Sequence, residues 1–327
     1  MLYAGLDVHK NFCQAIVMTK DGEIVKEARI RSEKDEIKNF FSGLKNLKVA
    51  FEASGGYEYF YDILEDLGCD VYLSNPSKTR LIAESRVKTD KVDSKVLADL
   101  LRSNLLPTSY VPHVEIRELR HLVRRRIFLG RYRAKLKNHI HAELRLKHLA
   151  FPGSTAFTKD GIDWLHGLRI PAIESYLIIY DSVQREITSL EREVTRVGME
   201  YEEIRLLTTI PGIAVYSGTL IFSEIGDINR FGSEEKLFSY AGLIPRVHQS
   251  GDNNYHGRIT KEGSKYLRWI LVEAIRVHIR HAPDSRITEY YHRLKKKKPG
   301  NVAAIGAARK LLQAIYHMLK NKDEFRG

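Results

Sequence analysis

The sequence predicts a mixed-sheet α/β domain over residues 1–108, a helical segment over 109–205 and a mainly α C-terminal region over 206–327. Three observations predict it. Short apolar runs alternate with helix-period stretches as far as residue 108. The stretch LLPTSYVPH, with two prolines, then breaks the pattern like a linker. Beyond it the apolar residues recur at helical spacing for most of the chain.

The elements follow in order. LYAGLDVH, FCQAIVMT and EIVKEARI read as three strands, the second and third joined at Lys20-Asp21-Gly22, a turn that suits a hairpin. Ser32 to Leu44 reads as a helix, KVAFEAS as a fourth strand, Tyr57 to Leu67 as a helix and DVYLS as a fifth strand. Asp90 to Leu101 closes the region as a helix with Val92, Val96, Leu97 and Leu100 on its apolar side. Three antiparallel strands followed by alternating helix and strand make a mixed sheet.

After the linker, the helical segment is interrupted only around FPGSTAFTKDG. Tyr176, Tyr180, Val183, Ile187, Leu190, Val194, Val197, Tyr201 and Ile204 alternate spacings of four and three, an a/d seam of coiled-coil type about 43 Å long. The seam fits packing against the preceding basic helix or against a second chain. LLTTIPGIAVYSGTLIFSEIG resembles a helix-hairpin-helix with Pro211-Gly212 as its turn, and IPRVHQSGDNNYHGRITKEG reads as a loop. The final helices carry Lys265, Arg268, Arg276, Arg280 and the run Lys295 to Lys298.

Composition narrows the function. No run approaches the roughly 18 apolar residues of a membrane span, and no basic region leads into an apolar signal core, so a reduced cytoplasmic setting is expected. Cys13 and Cys69 form no CxxC pair, which argues against a zinc framework or a disulfide scaffold. Fifty-three Lys and Arg against 41 Asp and Glu give a net +12, which points to a polyanionic partner. Eleven basic and three acidic residues fall between Glu115 and Lys147, so phosphate contact is expected there, from Arg124, Arg125, Arg126, Arg131, Arg133, Lys135 and Lys137.

Four acids stand in unusual places. Asp7 lies within an apolar strand between Leu6 and Val8, Glu52 ends an apolar strand before Gly55-Gly56, and Asp90 and Asp93 share one face of a helix's first turns. Taken singly, Asp7 reads as a buried hydrogen-bond acceptor, Glu52 as a strand-end acid and Asp90 as an N-cap. Taken together they fit a metal site. Carboxylates within ~4 Å of one another repel by about 4 kcal/mol per pair at an effective dielectric near 20, so such a cluster stays ionised only with compensating cations. An all-oxygen donor set favours Mg²⁺ or Mn²⁺, and two such ions serve phosphodiester chemistry.

Asp7 in GLDVHK, Glu52 in FEASGGY and the pair in KTDKVDSKVLA resemble the DEDD tetrad of the IS110 (IS-one-ten) insertion-sequence transposases, relatives of the Piv invertase also called bridge recombinases. The resemblance spans the chain, continuing through TTIPGI, EIGDINRF, YAGLIPRVHQSG and GRITKEGSKYLRWILVEA. It implies a RuvC-like domain of RNase H type, then a coiled-coil segment, then a transposase domain. It also implies a recombinase that excises and inserts its own element, guided by a structured noncoding RNA that pairs with donor and target DNA.

The family further implies a catalytic serine in the C-terminal region, working with the tetrad. Ser239 and Ser250 are the candidates. Ser250 is preferred because it lies in a Gly-flanked polar stretch with Arg246, His248, Arg258 and Lys261 nearby to position a phosphate, and Lys265 and Arg268 follow. Ser239 sits between Phe238 and Tyr240 in what reads as a packed helix. A covalent phosphoserine conserves bond energy, in keeping with the lack of a G-x-x-x-x-G-K-[ST] loop. Handling two duplexes implies a dimer or tetramer.

Three other readings compete. A RuvC-type nuclease attacking branched DNA with water shares the acids but gives the serine no task. A nucleic-acid-binding scaffold would use the basic helix alone. An actin-like ATPase would follow its first-strand acid with a phosphate-binding hairpin, whereas here Val8, His9 and Lys10 come next.

Overall fold

A computed structural model describes residues 1–82, 89–250 and 253–327; the side chains at 247–250 and 253–256 are outside that description. The chain divides into two compact units, Met1–Val111 and Pro112–Gly327.

The first unit is built on a six-stranded sheet. Strands β1 (Leu2–Val8), β2 (Phe12–Met18) and β3 (Ile24–Arg31) form an antiparallel meander, with helix α1 (Lys34–Phe41) following. Strand β4 (Leu47–Glu52) then pairs parallel with β1, and after helix α2 (Tyr57–Asp66), β5 (Asp70–Ser74) pairs parallel with β4. Helices α3 (Pro76–Ile82) and α4 (Asp90–Arg102) follow, and β6 (Thr108–Ser109) closes the order β3-β2-β1-β4-β5-β6. The β2–β3 turn is the expected one, with Gly22 at φ +91° and its N–H donated to the Thr19 carbonyl.

Alternation sorts the side chains onto two faces. Ala4 and Leu6 of β1 and Val49 and Phe51 of β4 point into a core closed by Ile37, Phe40 and Phe41 of α1 and Phe60, Ile63 and Leu64 of α2. On the opposite face α4 covers β1, β2 and β4, setting Leu97, Ala98 and Leu101 against Tyr3, Ile16, Met18 and Ala50. The proline-containing stretch expected to be a linker contributes β6, which pairs antiparallel with β5.

In the second unit, α5 (Val114–Leu146), α6 (Lys159–Gly167) and α7 (Pro171–Gly198) come first. The apolar face of α7 packs on α5 in the same chain: Ile187 meets the level of Leu136, and Val194 shares a core with Leu119, Val123 and Ile127. At the level of Ile140 the buried residue is Leu177, not the Tyr176 of the predicted seam, which is only partly buried. The two helices therefore run antiparallel. Tyr201 and Ile204, read as the end of the seam, lie past the end of α7; Tyr201 starts α8 (Glu202–Thr208).

Helix α9 (Val215–Ile225) and a 3₁₀ turn at Ile228–Arg230 lead to α10 (Glu234–Tyr240). Strands β7 (Pro245–Ser250) and β8 (Asn253–Ile259) form a hairpin where a loop was expected, and α11 (Lys265–His281), α12 (Arg286–Lys295) and α13 (Gly300–Asn321) finish the chain. The residues read as a separate third region share one continuous core with α5 and α7. In the α8–α9 turn, Gly212 has φ +96°, and a Cβ there would lie 2.8 Å from the His278 N. The close approach that this glycine permits is made to α11. His278, fully buried, fastens the contact by donating from Nδ1 to the Pro211 carbonyl at 2.7 Å.

One buried acid ties three of these helices together. Glu224 of α9 accepts from Arg124 Nε and Nη2 of α5 at 2.8 and 3.0 Å, and from the Oγ of Ser264, the N-cap of α11, at 2.8 Å. Breaking a buried pair leaves the surviving charge without its partner. Glu224→Ala is expected to destabilise the protein by about 3 kcal/mol, the low end of that class because the Arg124 side chain is a third exposed. Urea unfolding, read as a lower midpoint at unchanged slope, checks this.

Candidate functional site

The site begins at a glycine. Helix α4 lies so close over β1 that a Cβ on Gly5 would stand 2.0 Å from the Ser94 carbonyl oxygen and 2.8 Å from the Ala98 nitrogen. With Ala98 packed toward Tyr3 and Ser94 above Gly5, α4 runs antiparallel to β1, and its first turn arrives over the carboxyl end of the strand. That end carries Asp7, two residues on from Gly5 and on the same face. Thr89 is the N-cap, its Oγ1 accepting from the Val92 N–H at 3.3 Å. This corrects the reading of Asp90 as a cap and leaves the Asp90 carboxylate for other contacts.

Asp7 is half-buried, and burial pushes its carboxyl above the ordinary carboxylate range. His9 opposes that shift by its charge and hydrogen bond, while the charges of Asp90 and Asp93 add to it. Three of the four predicted acids are therefore close enough to feel one another. The fourth, Glu52, is exposed at the carboxyl end of β4. The register pairs Leu6 with Phe51, so Glu52 continues it one residue on, on the strand next to Asp7 and on the same face. Carboxyl ends of parallel strands are where open α/β sheets bind ligands.

His9 was not among the predicted residues. Its Nε2 stands 3.1 Å from Asp7 Oδ2 and 3.4 Å from Asp90 Oδ1, and one donor atom from each of Asp7, His9 and Asp90 falls within 4.8 Å of the others. The two-residue spacing of Asp7 and His9 along a strand was the available signal, since it puts both on one face. The His9 ring also lies 4.5 Å from that of Phe12, and its carbonyl accepts from Ser32 Oγ. Lys91, beside Asp90, pairs with Glu27 of β3 at 2.8 Å, and Glu27 also accepts from Gln14, the β2 partner of Asp7. This chain of contacts holds the first turn of α4 over the sheet. Oxygen donors with one imidazole suit a hard or borderline divalent cation, and such a cation would offset the repulsion among the acids.

The second unit carries the remaining predicted residues. Ser250 ends β7 opposite Asn253, at the tip of the hairpin; its side chain and that of His248 lie outside the described residues. The base of the hairpin is anchored by the Thr260 N–H to the Ile244 carbonyl and the Ser264 N–H to the Tyr240 carbonyl. Ser239 is exposed on α10.

The cations divide into two groups. Arg124 serves Glu224, Arg126 serves Glu191 at 3.0 Å through Nε, Arg133 donates to Gln184 at 2.7 Å, Lys137 lies over the Phe157 ring, and Arg268 donates to the Ala241 carbonyl. Burial, then Arg133, lowers the pKa of Lys137. Arg125, Arg131, Lys135, Arg246, Arg258, Lys261 and Lys265 are exposed.

Comparison with known proteins bears on this architecture. Residues 4–149 match a family model of IS110-type DEDD transposases, and residues 204–292 match that of the Transposase IS116/IS110/IS902 family. Together the matches cover more than two thirds of the chain. The chain belongs to the IS110 family of transposases. Among its relatives are a probable family 20 transposase of Pseudomonas aeruginosa, 25% identical with 98% of each chain covered, and the transposase of insertion sequence element IS1111A from Coxiella burnetii, 23% identical over 98% of this chain and 90% of the relative. The transposase of element IS1328 from Yersinia enterocolitica is 25% identical over 95% of each. The family makes this a DNA-processing enzyme of transposition. Among the described residues no helix is long and apolar enough to cross a membrane.

The seating of α4 is open to direct test. Gly5→Ala is expected to force α4 away from β1, costing about 3 kcal/mol as overpacking does. Transposition should fall even at temperatures where the variant is fully folded by circular dichroism.

Proposed function

We propose that this transposase works through a divalent-metal site of the RNase H (RuvC) kind formed by Asp7, Glu52, Asp90 and Asp93, together with Ser250 as nucleophile. The convergence of Asp7, Asp90 and Asp93 at the carboxyl end of β1 carries the reading. Its chemistry requires acids at that place: oxygen ligands for Mg²⁺ or Mn²⁺, borne by a strand and a helix whose backbones meet at Gly5. A bound ion there would stabilise the charge that develops on a phosphate under attack.

The serine step balances simply. Ser250 Oγ forms a bond to a DNA phosphorus, the bond from that phosphorus to a deoxyribose oxygen breaks, and the serine proton ends on the leaving oxygen. A deoxyribose hydroxyl of the other DNA then displaces the serine, so donor and target ends are joined without a nucleotide cofactor. Arg246, Arg258 and Lys261, exposed near the hairpin that bears Ser250, are the groups to hold the phosphate. Arg125, Arg131 and Lys135 on α5 and Lys265 at the start of α11 are free to face nucleic acid, including a structured guide RNA that pairs with donor and target. A dimer or tetramer would supply the active sites that two duplexes need.

The test is a covalent adduct. Ser250→Ala should abolish protein–DNA adducts trapped under denaturing conditions, while Ser239→Ala keeps them; the opposite pattern moves the role to Ser239. Asp93→Ala should lower recombination by roughly 10²-fold or more. Hydrolysed ends in place of rejoined product would favour water attack by a nuclease.

A further inference from the structure

In the second unit α10, α12 and α13 enclose a cavity of about 450 Å³, the size of a small-ligand site. Its floor is apolar, made by Phe238, Leu243, Leu294 and Ile305, and Tyr290 stands in its wall. The rim is cationic. Arg309 leans over the Phe238 ring at 4.7 Å, Lys310 lies 5.8 Å from the Tyr290 ring, and Lys298 ends the exposed run that begins at Lys295. The one acid of the lining, Glu234, is engaged on α13, accepting from Gln313 at 2.6 Å and lying 2.9 Å from His317 Nε2. Among the described residues Lys298 and Arg309 form no salt bridge. An apolar floor that takes a flat ring, under a rim that takes an anion, has the chemistry of a nucleotide: a base inside and its phosphates outside.

We infer that this groove holds an unpaired nucleotide of single-stranded DNA, its base against Tyr290 and its flanking phosphates on Lys298, Arg309 and Lys310. A duplex keeps its bases stacked and cannot fill such a cavity, so the site selects DNA opened or flipped during strand exchange. The inference rests on the family's action on DNA and is independent of which groups perform the chemistry.

Binding is measured with Ser250→Ala protein in EDTA, by fluorescence anisotropy of a single-stranded oligonucleotide, its duplex and an RNA of the same sequence. This removes the proposed serine and metal chemistry from the readout. The double variant Arg309→Glu/Lys310→Glu should weaken single-stranded DNA binding about tenfold or more. The slope of log K against log salt should flatten by ~0.7 for each phosphate that is no longer neutralised. Duplex binding should change far less. Val302→Trp, at the exposed mouth of the cavity, should block entry without removing any charge. An oligonucleotide carrying 5-iododeoxyuridine should crosslink to Tyr290 on irradiation, read by mass spectrometry. Unchanged affinity in both variants, the absence of that crosslink, an equal loss for duplex, or a crosslink obtained only with the RNA, carrying 5-iodouridine at the same place, would each overturn the assignment. Thermal unfolding is the check that both variants remain folded. Failure of the Ser250 adduct test would leave this result untouched.

Discussion

The acidic cluster of the first unit depends on a contact between two backbones. Helix α4 rests on β1 with no side chain between them at Gly5, and that approach brings Asp90 and Asp93 from the helix to Asp7 on the strand. A helix spaced by ordinary side chains would sit several ångströms farther from a sheet, too far for short carboxylates to share a cation. The missing side chain at Gly5 thus sets the depth of the site. Thr89, Lys91, Glu27 and Gln14 set its lateral position, by capping α4 and tying its first turn to β2 and β3.

The arrangement carries an electrostatic cost. Burial and neighbouring acids both work against ionisation of Asp7, and His9 reaches two of the carboxylates at once. Packing alone gives no reason to gather these groups. The second unit uses charge differently: Glu224 gathers Arg124 and Ser264 into a buried junction of α5, α9 and α11, so part of the basic stripe on α5 holds the fold together. The exposed remainder gives the basic character of the surface, and the lysine run beside the α12–α13 groove adds a second concentration of it.

Much of the first unit could be read directly from residue order. Five of its six strands and helices α1, α2 and α4 follow from period and turn chemistry, because each buries a face whose spacing is local. The two missed elements have no such spacing. Helix α3 is seven residues, mostly polar, and β6 is two residues that become a strand only by pairing with β5. The hairpin of β7 and β8 is mostly polar, so its strands could not be told from a loop by hydrophobic pattern. For the seam of α7, periodicity showed an apolar face and could not name what covers it; the antiparallel packing on α5 did.

The sequence by itself determined the kinds of element, the basic balance, the four acids and the family motifs that group them, since these are properties of residue type and local spacing. Tertiary structure decided that α4 lies on Gly5, that His9 joins Asp7 and Asp90, that Arg124 serves the buried Glu224 and Arg126 serves Glu191, and that Gly212 packs on α11. Each of these joins residues from different elements, or turns on how closely two backbones approach. Residue type states which chemistry a group can do, but distance decides which partner it does it with.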